Sequence, residues 1–131
     1  MSVYHFTIPG RLPGLNDYIE AERTHRLKAA GMKANCERLI RACIRKQLGT
    51  VQLTPPVWIF YRFIEPDRRR DKDNISGFAH KVIQDSLVKA KIIPNDGWNQ
   101  IANYRDDFDT DAKNPRIEVE VITIEDIEEY K

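Results

Sequence analysis

The chain has 131 residues, 41% of them hydrophobic and 31% charged, with a formal net charge of +1. This length and balance exclude a stapled miniprotein, a disordered acidic or basic tail and a chain built to span a bilayer. One domain can bury a full core at this size, and no apolar run nears the roughly 20 residues a membrane helix needs.

Charge is unevenly spread. From Glu118 to Lys131 there are six acids and one lysine, so the chain before Glu118 carries 20 basic and 14 acidic residues. That basic surplus suits a polyanionic partner. The opening MSVYHFTIPG has neither a basic lead nor an apolar core, which predicts no signal peptide and a cytoplasmic protein. Cys36 and Cys43 fall seven apart in a helical pattern. Their α-carbons would then be roughly 10 Å apart, beyond disulfide reach, so both are expected as small apolar groups in a reducing compartment.

Val3 to Ile8 is β-rich and is stopped by Pro9-Gly10, predicting a first strand. Residues 9–16 (PGRLPGLN) form a loop. Helix is expected from about Asp17 to Leu48, with an irregular start near Glu22 to His25 and Gly31 as a weak point that divides a lead-in from the main helix. Cys36, Leu39, Ile40, Cys43, Ile44 and Leu48 share one face; Arg38, Arg41 and Arg45 lie on another. Those arginines read first as a solvated face and, as a set, as a grip on nucleic-acid backbone. Gly49 is a C-terminal stop.

Pro56 to Ile64 (PVWIFYRFI) predicts a central strand buried on both faces, from its near-continuous hydrophobicity. A second helix is expected from Asp73 to about Lys91, with Ile75, Phe78, Val82, Ile83 and Leu87 as its buried stripe and Lys81, Asp85 and Lys89 on a different side. Pro94 to Gly97 is a turn. Gln100 to Phe108 reads as a strand and Asp109 to Pro115 as a loop. Arg116 to Ile124 alternates as a half-buried, antiparallel strand. The last seven residues are acidic and expected to fray or form a short helix. The sum is a single α/β domain over residues 1–131: a small mixed sheet with helices packed on it.

Chemistry concentrates between Pro66 and Asp96. Three arginines (Arg68, Arg69, Arg70) precede Asp71, Asp73 and Asn74; a helix carrying Lys81 and Asp85 follows, then Asp96. Four carboxylates here suit a divalent ion such as magnesium, and the arginines beside them suit phosphate. Each also has a plain structural role. Asp73 is a good helix cap, Asp96 a common turn residue, and Lys81 with Asp85 an ordinary one-turn ion pair. Spacing poses a problem as well. Twelve residues of straight helix separate Asp73 from Asp85 by roughly 18 Å. One ion can bind both only if the helix begins near Gly77, with the preceding DKDN folded back, or if two subunits share the site. His25 and His80 stand alone. A zinc cluster, a Gly-rich phosphate loop and a nucleophile motif are all missing from the sequence.

The segment PDRRRDKDN, followed by a helix with Lys81 and Asp85 and closed by PND, resembles the RusA family of Holliday junction resolvases. Only this central motif is specific; an N-terminal strand, a Pro-rich loop ending near Asn16 and a last alternating strand agree with it in order. The resemblance implies a RusA-like fold. It also implies a phage-associated, homodimeric, magnesium-dependent endonuclease (manganese as a substitute) that resolves four-way DNA junctions by paired nicks in recombination and repair.

Carried over by position, Asp71 and Asp73 match the family's paired aspartates, Asp85 its helix aspartate, Asp96 the aspartate after the helix, and Lys81 its catalytic lysine. Arg68, Arg69 and Arg70 would then bind DNA. Two departures stand out. About one helical turn (SGFA or its neighbours) is inserted before Lys81, and Asn95 stands where many relatives have a second acid. Two other readings remain open on the residues: a less selective nuclease of branched DNA, and a DNA-binding module without catalysis.

Overall fold

The computed structural model describes residues 2–124; the acidic tail of about 125–131 lies outside the described residues. Seven elements follow in order: β1 (Ser2–Pro9), α1 (Leu15–Thr24), α2 (Arg26–Leu48), β2 (Val57–Glu65), α3 (Lys72–Lys89), β3 (Ile101–Thr110) and β4 (Arg116–Thr123). The strands form one mixed sheet in the order β1-β4-β2-β3. β4 runs antiparallel to both β1 and β2, while β2 and β3 are parallel. Parallel neighbours need a long crossover, and α3 supplies it. The fold is thus the expected mixed sheet with helices packed on it.

Side-chain alternation sets the core. Phe6 and Ile8 on β1, Val57, Ile59, Tyr61 and Phe63 on β2, and Ile117, Val119 and Val121 on β4 are all buried and share a core with the helices. The expected α3 stripe of Ile75, Phe78, Val82, Ile83 and Leu87 is buried throughout. On α2, Cys36, Ile40 and Ile44 face inward, but Leu39 stays 43% exposed.

Three expectations change. β2 is central, flanked by β4 and β3, yet it is not buried on both faces: Trp58 and Phe60 are half-buried and Arg62 exposed. The helices join the core from one side of the sheet; on the other face Trp58 lies edge-on to Phe60 at 6.1 Å and Arg62 pairs with Asp109 and Glu118. The long helix divides at His25 rather than Gly31. His25 is extended (φ −162°, ψ 101°) and its Nδ1 accepts the Lys28 N–H at 3.3 Å, capping α2. Gly31 lies inside α2 with open space around it, so nothing there forces a break. Finally, the alternative of a start near Gly77 falls: α3 begins at Lys72 with Asp71 as its N-cap residue, within a residue of the expected Asp73.

Gly77 serves packing instead. A β-carbon there would lie 2.9 Å from Leu15 Cδ2, so its absence lets α1 close against α3. Beside it, Asn74 Oδ1 accepts the Asn16 N–H at 2.8 Å and pins the start of α1 to the start of α3. These contacts fix the N-terminal end of α3, where the acidic pair sits.

Candidate functional site

The loop from β2 into α3 is anchored from within. Glu65 is buried, and Arg70 grips it with two parallel hydrogen bonds of 2.9 Å, Nε to Oε1 and NH2 to Oε2. Arg70 NH1 also donates to the Leu12 carbonyl at 3.0 Å, and Arg11 approaches Glu65 at 3.5 Å. A buried carboxylate needs such a partner, and the planar guanidinium matches it on both oxygens. Arg70 is therefore fully engaged in holding the loop. Arg68 and Arg69 point outward; Arg69 makes only a 3.5 Å ion pair with Asp67 and is 89% exposed.

This anchoring presents Asp71 and Asp73 at the N-terminus of α3. Both are exposed. Asp71 makes no side-chain cap bond, and Asp73 Oδ1 accepts only the N–H of Asn74 at 2.9 Å. The helix end adds its own partial positive charge and unpaired N–H groups, a favourable place for carboxylate or phosphate. The two aspartates line a cleft of about 640 Å³ together with Arg68, Lys72, Phe108 and Asp109. Lys72 lies 5.8 Å from the Phe108 ring centre.

Asp109 was not singled out by the sequence, where it reads as the start of a loop. β3 extends two residues past Phe108 and carries it to the cleft wall. There its own neighbour's N–H (Thr110) and the guanidinium of Arg62, at 2.9 Å, hold its carboxyl below the ordinary range.

The remaining expected residues lie elsewhere. Asp85 is twelve residues along the unbroken α3, so it stands roughly 18 Å from Asp73. It faces α2: Lys33 approaches one oxygen at 3.0 Å and Lys81 the other at 3.3 Å. Burial works against its charge, but the hydrogen bond and charge of Lys33, joined by Lys81, prevail and hold its carboxyl below the usual aspartate range. Lys81 is mostly exposed. Asp96 lies in the turn after α3, outside the cleft that holds Asp71 and Asp73. It lines a smaller cleft of about 320 Å³ with Gln84, Trp98, Asn103 and Tyr104. Asn95 is exposed on the loop, its Oδ1 accepting the Asp96 N–H at 2.9 Å.

The structure therefore brings Asp71 and Asp73 together with Arg68, and does not bring Asp85 or Asp96 to them within one chain. Among the described residues, no three His, Cys, Asp or Glu side chains form a group able to hold a metal ion. No family model matches the chain, and no curated protein does. No helix among the described residues is long and apolar enough to cross a membrane.

His80 is a further feature that sequence spacing did not reveal. Its Nε2 lies 2.7 Å from Asp106 Oδ1, and its ring packs at 4.7–4.8 Å against Tyr104 and Tyr61. The pair is 26 positions apart in sequence, and only the antiparallel run of α3 over β3 makes it.

Proposed function

We propose that the chain is a divalent-metal-dependent, structure-selective endonuclease that resolves four-way DNA junctions by paired nicks. One observation carries the reading. Two exposed aspartates stand at a helix N-terminus in a cleft with Arg68 and Lys72, Asp73 accepting a single backbone N–H and neither aspartate ion-paired among the described residues. Carboxylates that served only to cap or to pair would be spent on the helix or on a neighbouring cation, as Asp85 and Glu65 are.

The donors fit magnesium or manganese. Both are hard oxygen ligands, and magnesium binds through one or two carboxylates while keeping waters and substrate phosphate oxygens. When bound, such an ion supplies an activated water and stabilises the charge that builds on the phosphodiester. Asp71 and Asp73 would hold it. Arg68, Arg69 and Lys72 draw backbone phosphates to the cleft, with a salt-sensitive affinity. Arg70 acts one step back by fixing the loop on Glu65. Lys81, mostly exposed and paired with Asp85 one turn on, would meet phosphate by exchanging that partner. A two-fold dimer presents two such clefts to a two-fold junction.

The test is cleavage of a labelled, immobile four-way junction beside linear duplex and flap substrates, with magnesium and with chelator. Paired nicks confined to the junction and lost with chelator are expected. Nicks on every branched substrate would make it a general branched-DNA nuclease. Tight junction binding without nicks under any metal would make it a binding module. Asp73→Asn should abolish nicking and leave junction affinity unchanged; equal loss of both removes the catalytic role.

A further inference from the structure

α2 carries a charge pattern that the fold itself does not use. The helix holds seven basic residues and one acid, Glu37. Glu37 is buried, and both Lys33, at 3.8 Å, and Lys89 of α3 close on it. The exposed surface of α2 is left with six basic residues and no acid. Three of the six, Arg38, Arg41 and Arg45, stand together. Among the described residues none of the three meets a carboxylate, and Arg38 donates one N–H to Asn35 Oδ1 at 3.0 Å. Arg62 and Arg116, on the sheet, each pair with two acids.

Helix energetics argue against this arrangement. Arg41 lies three residues after Arg38 and four before Arg45, the spacings at which like charges repel. The helix dipole favours cations only in the last turn, which accounts for Arg45 and Lys46 but not for Arg38 or Arg41. At the other end, Arg26 and Lys28 occupy a first turn that favours acids, and that turn has none. Gly31 weakens the helix from inside, although no packing neighbour lies within 4 Å of the place its β-carbon would take. Local rules broken with no gain inside the fold mark a functional surface.

The row is laid out for a long polyanion. From Arg38 to Arg45 the helix rises about 10 Å. That is the length of about three base-pair steps of duplex DNA, at about 3.4 Å each. Ala34, one turn before Arg38, and Gly31, two turns before it, share its face and carry no more than a β-carbon. A partner as broad as a duplex can therefore rest on the arginines without being held off by their neighbours. An anionic membrane fits less well. A membrane-surface helix turns its apolar face to lipid, and here Ile40 and Ile44 turn that face into the core.

We infer that the outer face of α2 is a second DNA-contact surface, which holds the phosphate backbone of a duplex arm through Arg38, Arg41 and Arg45. The face lies opposite the Cys36, Ile40 and Ile44 stripe, and none of its residues lines the Asp71–Asp73 cleft. The arm held there is thus separate from the phosphodiester at the aspartates. Contacts to phosphate position a duplex without reading its bases. The inference rests on the nucleic-acid part of the reading above and does not depend on cleavage.

The test is fluorescence anisotropy in chelator, with a labelled linear duplex and a labelled four-way junction, across a salt titration. The triple variant Arg38→Gln/Arg41→Gln/Arg45→Gln should bind both at least about tenfold more weakly at about 0.1 M salt. It should also lower the slope of log affinity against log salt by about 3. Its urea midpoint should equal or exceed that of the native protein, because the repulsion is gone, so the loss is not one of folding. Arg38→Lys/Arg41→Lys/Arg45→Lys keeps the charge and should keep the slope. A glutamine variant that binds like the native protein overturns the inference and leaves the nuclease reading standing. Native protein that binds α2-dependently but nicks no junction with magnesium or manganese removes the nuclease reading alone. Native protein that is captured by phosphatidylglycerol vesicles and by neither DNA overturns both.

Discussion

Three consecutive arginines occupy three different physical situations. Arg70 is 16% exposed at its side chain and pairs on both oxygens with a Glu65 carboxylate that is 6% exposed; Arg68 faces the cleft and solvent. Removing one partner of a buried pair leaves an uncompensated charge and costs about 3–5 kcal/mol. Arg70→Ala should therefore lower the unfolding free energy by about 3 kcal/mol, measured by urea titration, and lose junction binding only as a consequence. Arg68→Ala should leave the urea midpoint unchanged. It should weaken binding to junction and duplex alike and reduce the slope of log affinity against log salt by about 1, the mark of one lost phosphate contact. Swapped outcomes would exchange the roles assigned here.

At the scale of elements, α2 and α3 are joined by a charged seam as well as by the apolar stripe. Lys33 reaches both Asp85 at 3.0 Å and the buried Glu37 at 3.8 Å, and Lys89 closes on Glu37 from α3. The hydrogen bond to Asp85 outweighs burial and raises the Lys33 pKa, while that of Asp85 is lowered. The signs define the window. A carboxyl whose pKa is depressed on folding contributes stability above its unfolded pKa, and that contribution fades as pH falls through the folded value. The lysine contribution is present below its unfolded pKa and fades only in strong alkali. Thermal stability should thus decline on acidification below about pH 4. Asp85→Asn should show a shallower decline, with a lower melting temperature at neutral pH. An unchanged acid limb would mean that Asp85 does not clamp the helices. On the apolar side of the same helix, Leu87 is fully buried, and Leu87→Ala should cost about 2–5 kcal/mol by urea titration.

For the whole molecule, stability and assembly are linked. If the chain acts as the two-fold dimer of the proposed function, folding and association add, and the melting temperature of the native protein should rise with protein concentration. An open ten-residue edge is otherwise a liability, because its outward N–H and C=O groups are a template for pairing. The Gln47 amide on β1 and the charges of β3 answer that liability in opposite ways. One blocks a neighbouring strand with an amide; the other lines the edge with charge. The open face of the sheet carries a second polar cleft of about 510 Å³ bounded by His5, Arg62, Asp107 and Glu118. Its charges are of mixed sign, as are those of the Asp71 cleft.

By itself, the sequence determined the elements and the buried stripes. Period-2 alternation on β4 and one-face spacing on α3 are local properties, and both survive folding because burial follows them directly. The acidic pair beside the arginines was legible for the same reason: Asp71 and Asp73 are neighbours in the chain and stay neighbours in space. Tertiary structure alone decided the rest. Whether Trp58 and Phe60 are covered depends on which side of the sheet the helices take, and hydrophobicity does not encode that. Whether Arg70 meets DNA or Glu65 depends on where the loop turns after β2. Asp85 and Asp96 share the motif with Asp71 but not its location: an unbroken helix holds Asp85 nearly two nanometres from Asp73, and the turn after it carries Asp96 to a different cleft. His80 and Asp106, distant in sequence, meet because α3 doubles back over β3. Local pattern fixes what each segment is; only packing fixes what it faces.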